Sequence, residues 1–286
     1  MRDDFAIFIL THGRPDRVIT LTALERAGYT GRVYLVVDDE DPTREEYVAK
    51  YGDKVLLFSK VEVAKTFDLA DNFHGKKGVV VFARNACWVL ARQVGVKYFM
   101  EMDDDFDAFH YRFDGQNKYI ARRVCVMMDR LLSVLIEFYA RTPILTIALS
   151  QGGDHMGGDS MGDKWPRLRR KAMGSFLLSV DRPFDFVGRI NEDVNTYTNM
   201  SRQGCLFFTL MNVMLNTEAT QKHAGGMTST YLDGGTYVKS FYSVMHCPSA
   251  VQIGALGDPR SPNYRIHHKI NWNNAAPKIV MGRWKK

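Results

Sequence analysis

The chain has 286 residues, 45% hydrophobic and 24% charged, which is ordinary for a globular protein that buries a substantial core. No apolar run approaches the roughly 20 residues of a membrane-spanning helix, and the short apolar run near the N-terminus is not typical of a signal peptide. The four cysteines are widely spaced without metal-ligand spacing, which favours buried free thiols in a reducing compartment. We therefore expect a cytoplasmic protein that does not contact a membrane.

The net charge of +6 is divided unevenly along the chain. Residues 1–115 contain 16 Lys and Arg against 20 Asp and Glu, a net charge of −4, whereas residues 116–286 contain 22 against 12, a net charge of +10. A cationic excess of this size attracts anionic partners. Because no internal repeat or long linker is present, we predict one domain over 1–286, with a metal-dependent first half and a second half that faces an anion.

The first 105 residues alternate between strand and helix patterns. Short runs of β-branched and aromatic residues predict buried strands at Phe5–Leu10, 32–37, Val55–Phe58 and 98–102. Amphipathic patterns predict helices over 15–28, 42–51 and 81–94. Strands that alternate with helices predict an α/β fold whose central sheet is mostly parallel and flanked by helices.

Polar residues follow the first two predicted strands. Thr11, His12 and Arg14 lie in a strand-to-helix turn, where backbone N–H groups and a cation suit an anionic ligand. Asp38 and Asp39 end the second strand, where an acid can accept hydrogen bonds from a nucleobase or a ribose hydroxyl. The alternative for this acidic cluster is to cap the helix that follows.

The fourth predicted strand runs directly into three carboxylates, Asp103, Asp104 and Asp105. Acids tolerate a buried strand only where it leaves the sheet, because an unpaired buried carboxylate is costly. Three adjacent carboxylates repel one another unless a cation lies among them, and hard divalent cations prefer carboxylate and phosphate oxygens. The run therefore predicts a metal–diphosphate site, with Arg84 in the preceding helix placed to reach a phosphate. The alternative for the three aspartates is a solvated acidic turn, and the alternative for Arg84 is an ordinary surface cation.

The second half of the chain is less regular. Residues 122–141 have the pattern of one long apolar helix, and 144–149 and 175–180 predict strands. The Gly- and Asp-rich segment 151–162 is typical of a mobile loop, and 164–171 contains five cations in eight residues.

Glu192 and Asp193 follow a turn and open a predicted helix. Acidic residues at this position often cap the helix alone. One of the two carboxylates is equally suited to be the general base of a transfer reaction.

Together these features resemble a glycosyltransferase of the Rossmann-like GT-A fold. The resemblance implies that Asp103 and Asp105 bind Mn²⁺ or Mg²⁺ with the nucleotide-sugar diphosphate, and that Glu192 and Asp193 lie at the acceptor side, with Asp193 as the base. It also implies a nucleotide-sugar site in the first half, formed by Thr11, His12, Arg14, Asp38, Asp39, Arg84, Asn85, Asp103 and Asp104. Inversion and retention of the sugar configuration both stay open.

The metal site of GT-A enzymes is often completed by a C-terminal histidine, and this chain offers His267 and His268. A strand places adjacent side chains on opposite faces, so we expect only one of the two to reach the metal. Outside the GT-A context, such a pair is more often hydrogen-bonded or exposed.

Four short segments carry a closer resemblance: Asp103-Asp104-Asp105-Phe106, Asn191-Glu192-Asp193-Val194, 264–270 and Ala276-Pro277-Lys278-Ile279. They are similar to segments of the TET-associated glycosyltransferases of tailed phages, a family associated with adding sugars to 5-hydroxymethylcytosine in phage DNA. The resemblance implies a metal-dependent enzyme that moves a hexose or N-acetylhexosamine from a nucleotide sugar to that base. UDP-sugars are the common donors of this fold. For a phage-encoded chain, the compartment would be the host cytoplasm.

The basic half, 116–286, fits a DNA acceptor, because Lys and Arg neutralise backbone phosphates. We predict DNA contacts, with base stacking by the tryptophan, from Lys164, Trp165, Arg167, Arg169, Arg170 and Lys171. The alternative for this segment is a solvated loop. Three other functions stay open: a GT-A enzyme that acts on a protein or cell-envelope glycan, a DNA-binding relative without catalysis, and a metal-dependent nucleotidyltransferase.

Overall fold

The computed structural model describes residues 1–69, 80–155, 171–217, 228–260 and 264–284. The first elements are β1 (Phe5–Leu10), α1 (Ile19–Arg26), β2 (Arg32–Asp38), α2 (Arg44–Tyr51), β3 (Val55–Phe58), α3 (Lys60–Ala64), α4 (Val80–Gln93) and β4 (Tyr98–Asp103). They are followed by β5 (Phe106–Phe113), β6 (Tyr119–Val124), α5 (Met128–Arg141), β7 (Ile144–Gln151), β8 (Ser175–Ser179), α6 (Glu192–Arg202), β9 (Leu206–Thr217), α7 (Thr228–His246), β10 (Val251–Leu256), β11 (Arg265–Ile270) and α8 (Trp272–Ala275).

Nine of these strands form one sheet, in the spatial order β3-β2-β1-β4-β8-β7-β9-β5-β6. Strands β1 to β4 are parallel, and only β8 and β5 run opposite to the rest of this described sheet. Strands β10 and β11 form a separate antiparallel pair. The α/β fold predicted from the sequence, with a mostly parallel central sheet flanked by helices, is confirmed.

Alternate residues of β1 lie in two different cores, one on each face of the sheet. Phe5, Ile7 and Ile9 belong to the core that α1 and α5 cover, whereas Ala6 and Phe8 belong to the core that α4 covers. Every residue of β1 is buried, as expected of a central strand in a parallel sheet covered on both faces. The carboxyl ends of β1, β2 and β4 therefore lie together at one edge of the sheet.

The reversed strand β8 brings a distant segment to the end of β4. Met102 pairs with Ser175, the first residue of β8, in an antiparallel register. Because an antiparallel strand starts where its neighbour ends, the residues just before β8 arrive beside Asp103. A Cβ on Gly174 would lie 3.5 Å from Asp103 Oδ2, which shows how closely the two segments approach.

The prediction of one helix over 122–141 is wrong at its start. Val124 ends β6, where it pairs with His110 of β5, and α5 begins only at Met128. Hydrogen bonds to β5 stabilise the extended form of an apolar stretch whose pattern alone does not separate strand from helix.

All four cysteines are buried as predicted, and none of them forms a disulfide bond: Cys87, Cys125, Cys205 and Cys247. Within the described ranges, no helix combines the length and the apolar character needed to cross a membrane.

Candidate active site

A cavity of about 390 Å³ opens at the carboxyl ends of β1, β2 and β4, the edge where open α/β sheets bind ligands. Most of the predicted site residues line it: Thr11, His12, Arg14, Asp38, Arg84, Asp103, Asp104, Asp105, Lys171, Glu192, Asp193, His267 and His268. These side chains come from the turns after β1 and β4, from the ends of β2 and β4, from α4, α6 and β11, and from the segment before β8. The cavity therefore joins both halves of the chain.

Asp104 fixes the turn after β1 against the end of β4. Its carboxylate accepts a hydrogen bond from Thr11 Oγ1 at 2.7 Å and pairs with Arg14 Nη1 at 3.2 Å. Thr11 Oγ1 also lies 2.7 Å from the hydroxyl of Tyr47. The turn is thereby held in one conformation, with Arg14 directed at the aspartate run.

Asp38 and His12 form a polar wall at the end of β2. His12 Nδ1 lies 2.8 Å from Asp38 Oδ2 and 3.4 Å from Asp41 Oδ2, and Lys60 Nζ lies 3.5 Å from Asp38 Oδ1. Burial opposes the ionised form, but the hydrogen bond from His12 and the charge of Lys60 hold the pKa of Asp38 below its ordinary value. The apolar ring of Phe58 lines the same cavity. A carboxylate beside an apolar wall suits the N–H edge of a nucleobase.

Two predicted nucleotide-sugar residues lie outside the cavity lining. Asp39 accepts a hydrogen bond from the backbone N–H of Lys60 at 2.9 Å. The amide of Asn85 donates to the carbonyl of Phe186 at 2.9 Å and accepts from its N–H at 2.8 Å. In the described structure both side chains stabilise neighbouring segments.

Arg84 of α4 connects three carboxylates, two from β4 and one from α6. Its guanidinium lies 2.9 Å from Glu192 Oε1, 3.0 Å from Asp103 Oδ1 and 3.5 Å from Glu101 Oε2. The residue is only 2% exposed, so the alternative of a surface cation is wrong. Burial favours the neutral form, but the three carboxylates outweigh it and raise the pKa of Arg84. We call Arg84, Glu101, Asp103, Asp105 and Glu192 the carboxylate cluster.

The carboxylate cluster contains more acid than its arginine can neutralise. Burial raises the pKa of Glu101 to about 8, although Arg84 acts in the opposite direction. Burial and the charge of Asp105 raise the pKa of Asp103 to about 6. Crowded carboxylates of this kind are relieved by an additional cation.

The start of α6 presents Asp193 to the cavity. Its Oδ1 accepts a hydrogen bond from the backbone N–H of Val194 at 2.7 Å. Enclosure and the charge of Glu192 raise the pKa of Asp193 to about 7. Asn191, the N-cap residue two positions before Asp193, has a left-handed backbone (φ 54°, ψ 40°), and its amide donates to the carbonyl of Lys239 at 2.6 Å. The start of α6 is thus anchored to α7.

Both C-terminal histidines line the cavity, and which of the two would reach a metal stays a prediction. Their ring centroids are 4.1 Å apart, and both rings line the cavity. A two-stranded ribbon such as β10–β11 twists more strongly than a wide sheet, which weakens the rule of opposite faces. Burial and the charge of Lys171 lower the pKa of His267 to about 4 and that of His268 to about 3, so both rings are neutral at pH 7.

The residues present fit a hard divalent cation. Asp103 and Asp105 supply carboxylate oxygens in a region of excess negative charge, the ligands that Mg²⁺ and Mn²⁺ prefer, and a neutral imidazole is a common metal ligand. The described residues contain no preformed group of three or more His, Cys, Asp or Glu side chains that could hold a metal ion. An ion bound here would therefore take further ligands from a substrate phosphate, as Mg²⁺ commonly does.

The predicted DNA segment is only partly described. Lys164, Trp165, Arg167, Arg169 and Arg170 lie outside the described residues. Lys171 is described, and it lines the cavity with its Nζ 3.4 Å from Nε2 of His268.

Sequence reasoning missed three site residues. Glu101 gave a signal, because it is a carboxylate in the middle of an otherwise apolar strand. Gly174 has a left-handed backbone (φ +68°), a conformation that residues with a Cβ rarely adopt. Lys239 of α7 lines the cavity and gave no signal, because a lysine on a helix is usually solvated. We call Lys171 and Lys239 the lysine cluster.

Solved structures similar to this chain include three proteins with bound nucleotides. A mannosyltransferase from Pyrobaculum calidifontis, in complex with GDP-Man and Mn²⁺, is 11% identical over 86% of this chain and 63% of that chain, with a TM-score of 0.45. Glucosyl-3-phosphoglycerate synthase from Mycobacterium tuberculosis, with Mn²⁺, UDP and phosphoglyceric acid, is 12% identical over 93% and 86%, with a TM-score of 0.46. S. aureus TarS with UDP-GlcNAc is 13% identical over 79% and 61%, with a TM-score of 0.43. The chain thus spans less than two thirds of the mannosyltransferase and of TarS.

A search of curated proteins found no match. A family model described as TET-Associated Glycosyltransferase matches residues 5–226, which include the aspartate run and the start of α6. The C-terminal helix and strands that supply Lys239, His267 and His268 lie beyond the matched range. Because the match covers well over half of the sequence, the chain belongs to the TET-associated glycosyltransferase family.

Proposed function

We propose that this protein transfers a sugar from a nucleotide sugar, with a UDP-sugar as the favoured donor, to the hydroxyl of 5-hydroxymethylcytosine in DNA. The observation that carries the proposal is the convergence of the aspartate run, Arg84 and the start of α6 in one cavity. Such a cavity offers both requirements of glycosyl transfer: charge neutralisation for a leaving diphosphate and a base for the acceptor. Membership of the family supports the reaction class.

The donor nucleotide is proposed to lie along the ends of β1 and β2. Asp38 and His12 would bind the base or ribose, with Phe58 as the apolar wall. Arg14, held by Asp104, would bind a phosphate oxygen. This arrangement follows the general position of nucleotides at the carboxyl ends of parallel strands.

Asp103 and Asp105, with His267 or His268, would hold Mn²⁺ or Mg²⁺. When bound, such an ion neutralises negative charge on a leaving diphosphate. Arg84 contributes by positioning, because its bonds to Asp103 and Glu192 fix the aspartate run relative to α6. Its guanidinium is committed to these carboxylates, so we assign it no direct phosphate contact.

Asp193 is proposed to be the general base. It would accept the proton of the acceptor hydroxyl while the hydroxyl oxygen bonds to the anomeric carbon and the bond from that carbon to the diphosphate breaks. A pKa near 7 suits this role, because a base is most effective when its pKa lies near the working pH. Direct displacement of this kind inverts the sugar configuration.

The test is intact-mass analysis of a short duplex containing 5-hydroxymethylcytosine after incubation with Mn²⁺ and a panel of nucleotide sugars. We expect a mass gain of one hexose or N-acetylhexosamine, lost with EDTA and in Asp105→Ala. Asp107→Ala is the matched control, because Asp107 follows two residues later and does not line the cavity. The control should retain activity.

Unmodified duplex DNA, which lacks the hydroxyl of 5-hydroxymethylcytosine, is the control for the acceptor. No gain on the modified duplex from any donor, together with metal-dependent hydrolysis of a nucleotide sugar, would keep the glycosyltransferase and reject the DNA acceptor. A gain of a whole nucleotide instead of a sugar would show nucleotidyl transfer.

A further inference from the structure

Lys171 and Lys239 place two ammonium groups in the wall of the cavity. Both backbones are fixed: the carbonyl of Lys171 accepts a hydrogen bond from Thr209 Oγ1 at 2.8 Å, and that of Lys239 accepts one from the Asn191 amide at 2.6 Å. The two cations therefore project from rigid positions, as expected of a built binding site.

The surroundings of the two lysines favour a bound anion. Both residues are half-buried. The imidazole of His268 lies against Lys171, is 7% exposed, and has an Nδ1 without a hydrogen-bond partner among the described residues. Two half-buried ammonium groups in one wall repel each other and are stabilised by negative charge.

The position of the lysine cluster indicates which substrate supplies that charge. Lys171 and Lys239 both interact electrostatically with Asp193. Asp103 is held by Arg84 at 3.0 Å, whereas the carbonyl of Lys239 is bonded to Asn191, two residues before Asp193. The donor diphosphate belongs with the aspartate run, because a divalent ion is shared between carboxylates and substrate phosphates. The lysines accompany the proposed base, to which the acceptor must come.

We propose that Lys171 and Lys239 form a phosphate site for the acceptor, which binds a backbone phosphate next to the nucleotide that receives the sugar. The inference rests on the proposed function. A base inside a duplex must be extruded to enter an enclosed cavity, and the phosphate attached to its sugar moves with it. Two lysines beside Asp193 would hold that phosphate and so place the hydroxyl at the base.

The test compares Lys171→Met and Lys239→Met, which keep the apolar stem and remove the charge, with the matching Arg variants. The readouts are KM for a duplex containing 5-hydroxymethylcytosine, KM for the nucleotide sugar, and DNA affinity by fluorescence anisotropy across a salt series. Lys269→Met is the control, because Lys269 is exposed on β11 and does not line the cavity.

Each Met variant should raise the acceptor KM about tenfold, as expected for loss of one charge-assisted contact. The slope of log affinity against log salt should become shallower by about 0.7–0.9 for each lost phosphate contact. The donor KM should stay unchanged, the Arg variants should recover acceptor binding, and Lys269→Met should match the wild type. Where a Met variant does not fold, the Arg variant and the wild-type salt slope still measure the site.

A raised donor KM with an unchanged acceptor KM would overturn the proposal, because the bound phosphate would then be that of the donor. Wild-type values for both substrates in the Met variants would also overturn it. Transfer to DNA by the wild type with unaffected lysine variants rejects the phosphate site alone. Absence of wild-type transfer to DNA rejects the proposed function, and the acceptor phosphate site with it.

Discussion

In the carboxylate cluster, Asp103 and Glu192 are each fixed by a short hydrogen bond to Arg84, whereas Lys171 and Lys239 act on Asp193 through their charge. Hydrogen bonds fix distance and direction, which a metal and a leaving group require. Charges in a partly enclosed wall set a potential that attracts an anion without fixing every atom. The two clusters therefore suit different demands: one positions reacting groups and the other collects a substrate.

The largest effect is expected from breaking the carboxylate cluster with Arg84→Met. Removing the cation leaves Glu101, Asp103 and Glu192 enclosed without it, which should lower the free energy of unfolding by about 3–5 kcal/mol. Urea denaturation measures this loss, and transfer activity should disappear. The control is Arg141→Met, whose exposed pair with Glu137 should contribute less than about 1 kcal/mol. Equal stability of the two variants would contradict the proposed importance of the cluster.

Asp193 is acted on by charges of both clusters, and its substitution tests the proposed base. Asp193→Asn should lower the transfer rate about 10²- to 10⁴-fold, the usual contribution of a general base. Because enclosure raises the pKa of Asp193 to about 7, the wild-type rate should fall as the pH drops through 7 and level off above it. Asp181→Asn, at an exposed position paired with Lys97, should keep this profile. A wild-type rate that is flat between pH 6 and pH 8 would exclude Asp193 as the base.

The smallest effect concerns the protonation of Glu101 in the carboxylate cluster. The pKa of Glu101 is about 8 in the folded protein against an ordinary 4.5, so the folded protein holds a proton that the unfolded chain has released between these pH values. Wild-type unfolding free energy should therefore fall as the pH rises across this window, and Glu101→Gln should lack that fall. Urea denaturation in EDTA at pH 5 and pH 8 should show that the variant gains unfolding free energy relative to the wild type as the pH rises. Parallel behaviour of the two proteins would contradict it.

The sequence predicted the first half well because its signals are local. Strands β1 and β4 are apolar runs bounded by polar turns, and parallel strands present their carboxyl ends at one edge. It follows that Asp38, Asp103 and the turn after β1 share a cavity.

The rest of the site depends on pairings that sequence spacing does not contain. The three carboxylate partners of Arg84 lie 17, 19 and 108 residues away. Lys171 enters the cavity only because β8 runs antiparallel to β4, and Lys239 only because α7 packs against the start of α6. Lys171 was assigned to the DNA segment because of its neighbours in sequence. In the fold, it lies in the wall of the cavity.

The left-handed backbone of Asn191 couples the opening of the cavity to the position of the proposed base, Asp193. Such a conformation costs roughly 1 kcal/mol or more outside glycine, and here the amide bonds to Lys239 and Ser243 of α7 offset it. A local opening that separates α7 from α6 would remove Lys239 from the wall and release the strain at Asn191 in one event. Amide exchange should then show one shared opening rate for α7 and the first turn of α6, and separate rates would refute the link. Substrate access and base placement would then be a single cooperative unit.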